Sequence, residues 1–130
     1  MSLTLTALPA ARAMRAGLPA LRPEQSLAHA ADLMSKHDVR ELPVTRDGTL
    51  VGILTQRDMQ AFRGFLEWTR VGTAMTPDPV TVTPETRIGT VARMLLDRCF
   101  NSVPVVGGSA LLGMIGRVDL VRLLLEELTP

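Results

Sequence analysis

Thr55 and Asp58 stand three residues apart in the run Gly52-Ile53-Leu54-Thr55-Gln56-Arg57-Asp58, where an apolar strand pattern passes straight into a helix start. A hydroxyl, a guanidinium and a carboxylate in that order suit a phosphorylated sugar. Backbone N–H groups at a helix start attract phosphate. Arg57 adds a fixed cation, and Asp58 offers two acceptor oxygens suited to vicinal ribose hydroxyls. The same threonine-x-x-aspartate spacing is also a helix capping box, worth roughly 1 kcal/mol, which requires no ligand. Both readings fit these residues. A second run, Gly113-Met114-Ile115-Gly116-Arg117-Val118-Asp119, keeps the aspartate but carries glycine in place of the threonine, with its arginine one position earlier. Another signature also occurs twice: Val39-Arg40-Glu41-Leu42-Pro43 and Phe100-Asn101-Ser102-Val103-Pro104 each bracket two polar residues with apolar ones and place a proline at a strand start.

These paired runs belong to an internal repeat. Residues 10–59 lie on residues 71–120 without a gap, with identities that include Met14/Met75, Pro23/Pro84, Pro43/Pro104, Gly52/Gly113 and Asp58/Asp119. Leu27, Ala30, Ala31 and Met34 have the spacing of one apolar helix face, as do Ile88, Val91, Ala92 and Leu95. After each helix come two strand-type runs, Glu41–Thr45 and Leu50–Leu54, then Val103–Val106 and Leu111–Ile115. Asp47-Gly48 and Gly107-Gly108 between them are hairpin signals. A further helix follows each hairpin, over about 56–69 with Met59, Phe62 and Leu66 on one face, and over about 117–127. Short strands before the first helices are expected at Val80–Thr83 and around Ala20–Arg22. Each copy therefore reads strand, helix, strand, strand, helix. A unit of that size buries little of its own sheet, so the two copies are expected to pack together as one domain. The expected divisions are an N-terminal arm at 1–9, a first repeat with its connecting helix at 10–70 and a second repeat at 71–130.

Composition narrows the classes further. The 130 residues carry 14 Lys+Arg and 13 Asp+Glu, a formal charge of +1, without the electrostatic footprint of a nucleic-acid binder. Any phosphate recognition must then be local. One cysteine, Cys99, excludes an intramolecular disulfide framework and a cysteine-rich zinc site, and a packing role is expected for it. His29 and His37 are two helical turns apart, about 12 Å along the axis, too far to share a metal. No apolar run approaches the ~20 residues of a membrane helix, and residues 1–9 lack the pattern of a secretory signal, so a cytoplasmic protein is expected. No Walker A loop, HExxH or GxSxG motif occurs, and no nucleophile–base pair can be assembled. No catalytic residue and no metal ligand is assigned.

The repeat length, the apolar-x-x-apolar-Pro element and the Gly-apolar-apolar-Thr-x-Arg-Asp run together resemble a tandem pair of CBS (cystathionine β-synthase) domains, from about Ala10 to Glu127. The resemblance implies an α/β (α+β) fold of two β-α-β-β-α repeats, packed sheet to sheet about a pseudo-two-fold axis. It also implies a regulatory, energy-sensing role without catalysis, a homodimer, and an adenosine-containing ligand bound between the repeats. AMP, ADP or ATP stand ahead of S-adenosylmethionine as that ligand, and no cofactor is required. Carried over residue by residue, a first cleft would combine Ile53, Thr55, Arg57 and Asp58 with Val80, Phe100, Asn101, Ser102 and Val103. A second would combine Met114, Gly116 and Asp119 with Val39, Arg40, Glu41 and Leu42. Gly116 lacks the hydroxyl and Glu41 brings a negative charge, so the second is expected to be weaker, empty, or selective for a less charged ligand. An effector protein would be the regulated partner. The alternative is a dimerisation or interaction module whose clefts stay empty. Trp68, at the end of the connecting helix, is a candidate for such an interface.

Overall fold

The computed structural model describes residues 2–129. Its elements are the helices α1 (Ser2–Ala7), α2 (Leu27–His37), α3 (Gln56–Gln60), α4 (Val71–Ala74), α5 (Ile88–Asp97) and α6 (Arg117–Leu128). The strands are β1 (Glu41–Arg46), β2 (Thr49–Thr55), β3 (Thr76–Pro77), β4 (Ser102–Gly107) and β5 (Ala110–Gly116), and a single 3-10 turn spans Ala10–Arg12. Two compact units form. Leu18–Pro79 holds the first hairpin, and the residues up to Gly17 join those from Val80 onward around the second.

Each unit is built by the same hydrogen bonds. In the first-hairpin unit β1 and β2 pair antiparallel, β3 lies on the far side of β2, and Leu21 bridges Val44 in parallel on the far side of β1. In the second-hairpin unit β4 and β5 pair antiparallel, Arg15 bridges Met114, and Val82 bridges Val105 in parallel. The Leu21 N–H donates to the Pro43 carbonyl at 2.8 Å and the Val82 N–H to the Pro104 carbonyl at 3.0 Å. A proline has no N–H to donate, and here only its carbonyl is asked for, which is why the repeated prolines are tolerated inside strands. Each ladder also shifts register at equivalent places, between Val44 and Thr45 and between Val105 and Val106.

The apolar stripes do what their spacing predicts. Leu27, Ala30 and Met34 of α2 join Leu21, Leu42, Val44, Leu54, Met59 and Val71 in one core. Val91 and Leu95 of α5 join Ala10, Val82, Val103, Val105 and Ile115 in another, beside a smaller cluster of Ala13, Ile88 and Leu123. Burying each of these larger side chains contributes roughly 2 kcal/mol. The Ser26 side chain caps α2 by accepting the His29 N–H, and Asp38 ends it with a left-handed φ of 53°.

Three expectations change. The helix read over 56–69 ends at Gln60, and a chain of tight turns follows, with the Phe62 N–H on the Met59 carbonyl and the Phe65 N–H on the Phe62 carbonyl. Gly64, at φ 89°, closes the path to a continuing helix, while Phe62 and Leu66 still pack on the core, so the apolar spacing survives without the helix. The short strands expected at 20–22 and 80–83 are single bridges at Leu21 and Val82. Cys99 is exposed, with φ 55°, and serves no core. Ala10–Gly17 packs with the second-hairpin unit, and Val71–Pro79 packs with the first. Within the unassigned stretch 1–9, Ser2–Ala7 form α1, whose Thr6 sits against Gly89 of α5, and Leu5 and Leu8 pack on the small cluster.

Candidate functional site

β2 delivers Thr55 to the N-cap of α3 in extended conformation, with φ −112° and ψ 161°. The Thr55 hydroxyl accepts the Asp58 N–H at 3.0 Å, and Asp58 Oδ2 accepts the Thr55 N–H at 3.0 Å, so the capping box is complete. The cap engages only one carboxylate oxygen. Among the described residues Oδ1 has no partner, and neither does the exposed guanidinium of Arg57. The Gln56 N–H donates to the Arg40 carbonyl at 2.9 Å, and Glu41 stands opposite Thr55 in the ladder. The Val39–Leu42 element therefore lies beside the helix start of its own repeat.

The second-hairpin unit has the same corner with different chemistry. Gly116 caps α6 without a side chain, so only half of the box exists: Asp119 Oδ2 accepts the Gly116 N–H at 2.7 Å. Asp119 Oδ1 accepts from Arg122 Nη1 at 3.0 Å and forms an ion pair with Arg15 Nε at 2.8 Å. Its side chain has no exposed surface. Arg117 is committed too, donating from Nε to the Phe100 carbonyl and from Nη2 to the Leu95 carbonyl, each at 3.0 Å. It thereby satisfies a carbonyl in the last turn of α5, a usual place for a cation. The Arg117 N–H reaches the Asn101 carbonyl at 3.3 Å, and Ser102 faces Gly116, so the 100–103 element again adjoins its own helix start.

The residues expected to share a cleft are thus divided between the two units. Ile53, Thr55, Arg57 and Asp58 come together in the first-hairpin unit, with Val39, Arg40, Glu41 and Leu42 beside them. Phe100, Asn101, Ser102 and Val103 come together with Met114, Gly116 and Asp119 in the second, to which Val80 also belongs. Leu42, Val103 and Met114 are core residues, at most 2% exposed, whereas Val80 is 37% exposed. Arg15 was not among the expected site residues. Its signal was available, because the repeat places it opposite Thr76 and so marks a change from a short polar side chain to a long cation. A shallow cavity of about 320 Å³, lined by Pro23, Glu24, Arg46, Arg70, Gly72 and Thr73, shares none of these residues. Among the described residues no cluster of His, Cys, Asp or Glu could hold a metal ion, and no helix is long and apolar enough to cross a membrane.

Two equivalent hairpins, each running into a helix that starts at a Gly-apolar-apolar-x-x-x-Asp corner, define a tandem repeat, and its family follows from sequence. The CBS domain profile matches residues 10–62 and again 71–126, and the chain belongs to that family as a CBS pair. Among curated proteins it is 30% identical over 115 residues to the mitochondrial CBS domain-containing protein CBSX3 of Arabidopsis thaliana, covering 80% of this chain and 55% of that protein. The chain thus spans about half the length of that relative. It is 29% identical over 101 residues to the CBS domain-containing protein YhcV of Bacillus subtilis, covering 75% of this chain and 72% of the other. Among solved structures, CBSX2 of Arabidopsis thaliana in complex with AMP superposes with a TM-score of 0.85 at 30% identity, covering 92% of this chain and 98% of that one.

Proposed function

We propose that this chain is a regulatory module that takes an adenosine-containing nucleotide at the Thr55–Asp58 helix start and thereby controls a partner protein. AMP, ADP and ATP stand ahead of S-adenosylmethionine, because Arg57 and the helix start favour a phosphate. The observation that carries the reading is the uncommitted Asp58 Oδ1, with the uncommitted Arg57 next in sequence, at a helix start whose cap is already complete. Asp58 would accept the ribose hydroxyls, Thr55 and Arg57 would face phosphate, and half-buried Ile53 would offer the base an apolar edge. The AMP complex of the related CBSX2 supports the ligand class. Control would act by linkage, the ligand favouring one state by its difference in affinity between two. No step of this reading is catalytic, and it extends to a homodimer in the cytoplasm acting on an effector protein.

Calorimetric titration of the four ligands, into protein shown by mass spectrometry to carry no co-purified nucleotide, tests the reading. Binding by at least one nucleotide is expected, weakened tenfold or more in Asp58→Asn, which keeps an acceptor for the Thr55 N–H. Absence of binding by all four would sink it.

The second reading, an interaction module without ligand, draws on exposed apolar side chains. Phe65 and Trp68 are 64% and 79% exposed in the first-hairpin unit. Val118, Val121, Leu125 and Leu128 recur along the outer side of α6 in the other, each more than half exposed. Under that reading Thr55→Ala lowers stability by about 1 kcal/mol, and no nucleotide changes the melting temperature.

A further inference from the structure

We propose that Arg15 is a built-in plug that closes the Asp119 corner to nucleotides by holding, on that carboxylate, the place a ribose diol takes on Asp58. The proposal rests on the nucleotide reading of the Asp58 corner and adds what makes the two corners unequal. The repeat places Arg15 where the other unit has Thr76. Both residues run along the equivalent strand: Thr76 pairs with Ile53, and Arg15 exchanges two backbone hydrogen bonds with Met114, each 2.9 Å. The strand partners are able to approach because the repeated glycines leave room. A Cβ on Gly113 would come within 2.6 Å of the Arg15 carbonyl oxygen, and one on Gly52 within 3.0 Å of the Thr76 oxygen.

From that pinned backbone the Arg15 side chain, 39% exposed as a whole, reaches Asp119 with its shielded Nε 2.8 Å from Oδ1, an ion pair whose N–H is not aligned for a hydrogen bond. The threonine at the equivalent place has no such reach, Ala61 stands where the other repeat has Arg122, and Asp58 keeps an oxygen over. Arg122 also reaches Asp119 Oδ1, through a 3.0 Å hydrogen bond, but it rises three residues on in the same helix and its side chain is 55% exposed. Arg15 comes from a different segment, and its backbone is held by the two hydrogen bonds to Met114. A neutral hydroxyl pair competes poorly with a guanidinium for a carboxylate that is out of water, because only the guanidinium offsets its charge. The second corner is therefore not a degraded copy; its occupant is part of the chain.

The test is Arg15→Thr in the full chain, read by AMP calorimetry and by the amide resonance of Gly116, whose N–H is bonded to Asp119 Oδ2. Arg122 and the Gly116 N–H still face the carboxylate in this variant. The expected result is a rise from one AMP per chain to two, with the Gly116 resonance moving on AMP addition only in the variant. In the Asp58→Asn background, Arg15→Thr should restore a single site. A folded Arg15→Thr protein that still binds one AMP, with Gly116 unmoved, overturns the plug and leaves the Asp58 reading standing. Binding by Arg15→Thr at Gly116 with none by wild type sinks the Asp58 reading alone, and binding by neither sinks both. Should Arg15→Thr fail to fold, Arg15→Gln keeps a donor and loses the charge. AMP should then move Gly116 at high concentration, and an unmoved resonance overturns the plug.

Discussion

At one helix start Asp58 is half-buried, accepts a single backbone N–H and leaves an oxygen over; at the other, Asp119 is 1% exposed and both its oxygens are engaged. The arginines divide in the same way. Arg57 has no partner among the described residues, whereas Arg117 donates to two carbonyls. The two corners share a backbone path and an aspartate, so the difference arises from five substitutions between the repeats. Thr55 corresponds to Gly116, Gln56 to Arg117, Arg57 to Val118, Ala61 to Arg122, and Thr76 to Arg15. In one corner the charges pair within the protein; in the other Asp58 Oδ1 and Arg57 have no partner among the described residues. A repeated motif here carries different contacts in its two copies, and the partners of the aspartate distinguish them.

The comparison can be broken most forcefully at the aspartates. Asp119→Ala removes a buried carboxylate from two arginines and a backbone N–H, and is expected to cost about 2–3 kcal/mol in urea unfolding. Asp58→Ala should cost about 1 kcal/mol, the loss of half a cap, and its main effect should be on nucleotide binding. Equal costs at the two positions would contradict the assigned roles. The glycines come next. Gly113→Ala meets a backbone oxygen at 2.6 Å, which can be relieved only by moving the 14–15 segment, and should cost about 2 kcal/mol. In Gly52→Ala the nearest atom is the flexible Met75 sulfur at 2.6 Å, so a smaller loss of about 1 kcal/mol is expected. The arginines give the smallest contrast. Arg117→Gln should lower stability by about 1 kcal/mol through its carbonyl contacts, while Arg57→Gln should stay within about 0.5 kcal/mol. Thermal melts without ligand would separate them.

Much of this fold was legible because its signals are local and occur twice. The helix stripes of Leu27–Met34 and Ile88–Leu95 and the Asp47-Gly48 turn needed no knowledge of distant contacts. The early end of α3 was hidden because Phe62 and Leu66 keep helical spacing while serving a chain of turns. β3 was hidden because two residues carry no periodicity, and its pairing with Gly52 and Ile53 is long-range. The Thr55–Asp58 box was visible in full, since capping is a matter of three residues. Only part of what Asp119 does was, because Gly116 and Arg122 are local to it while Arg15 is far away in the chain and no local pattern joins the two. Only the repeat alignment marks that position.

Titration of AMP into wild type, Asp58→Asn and Asp119→Asn side by side tests the inequality of the two corners most directly. One site per chain is expected in wild type, lost or weakened at least tenfold in Asp58→Asn and retained in a folded Asp119→Asn protein. Binding that survives Asp58→Asn unchanged, or that disappears only with Asp119→Asn, would contradict it.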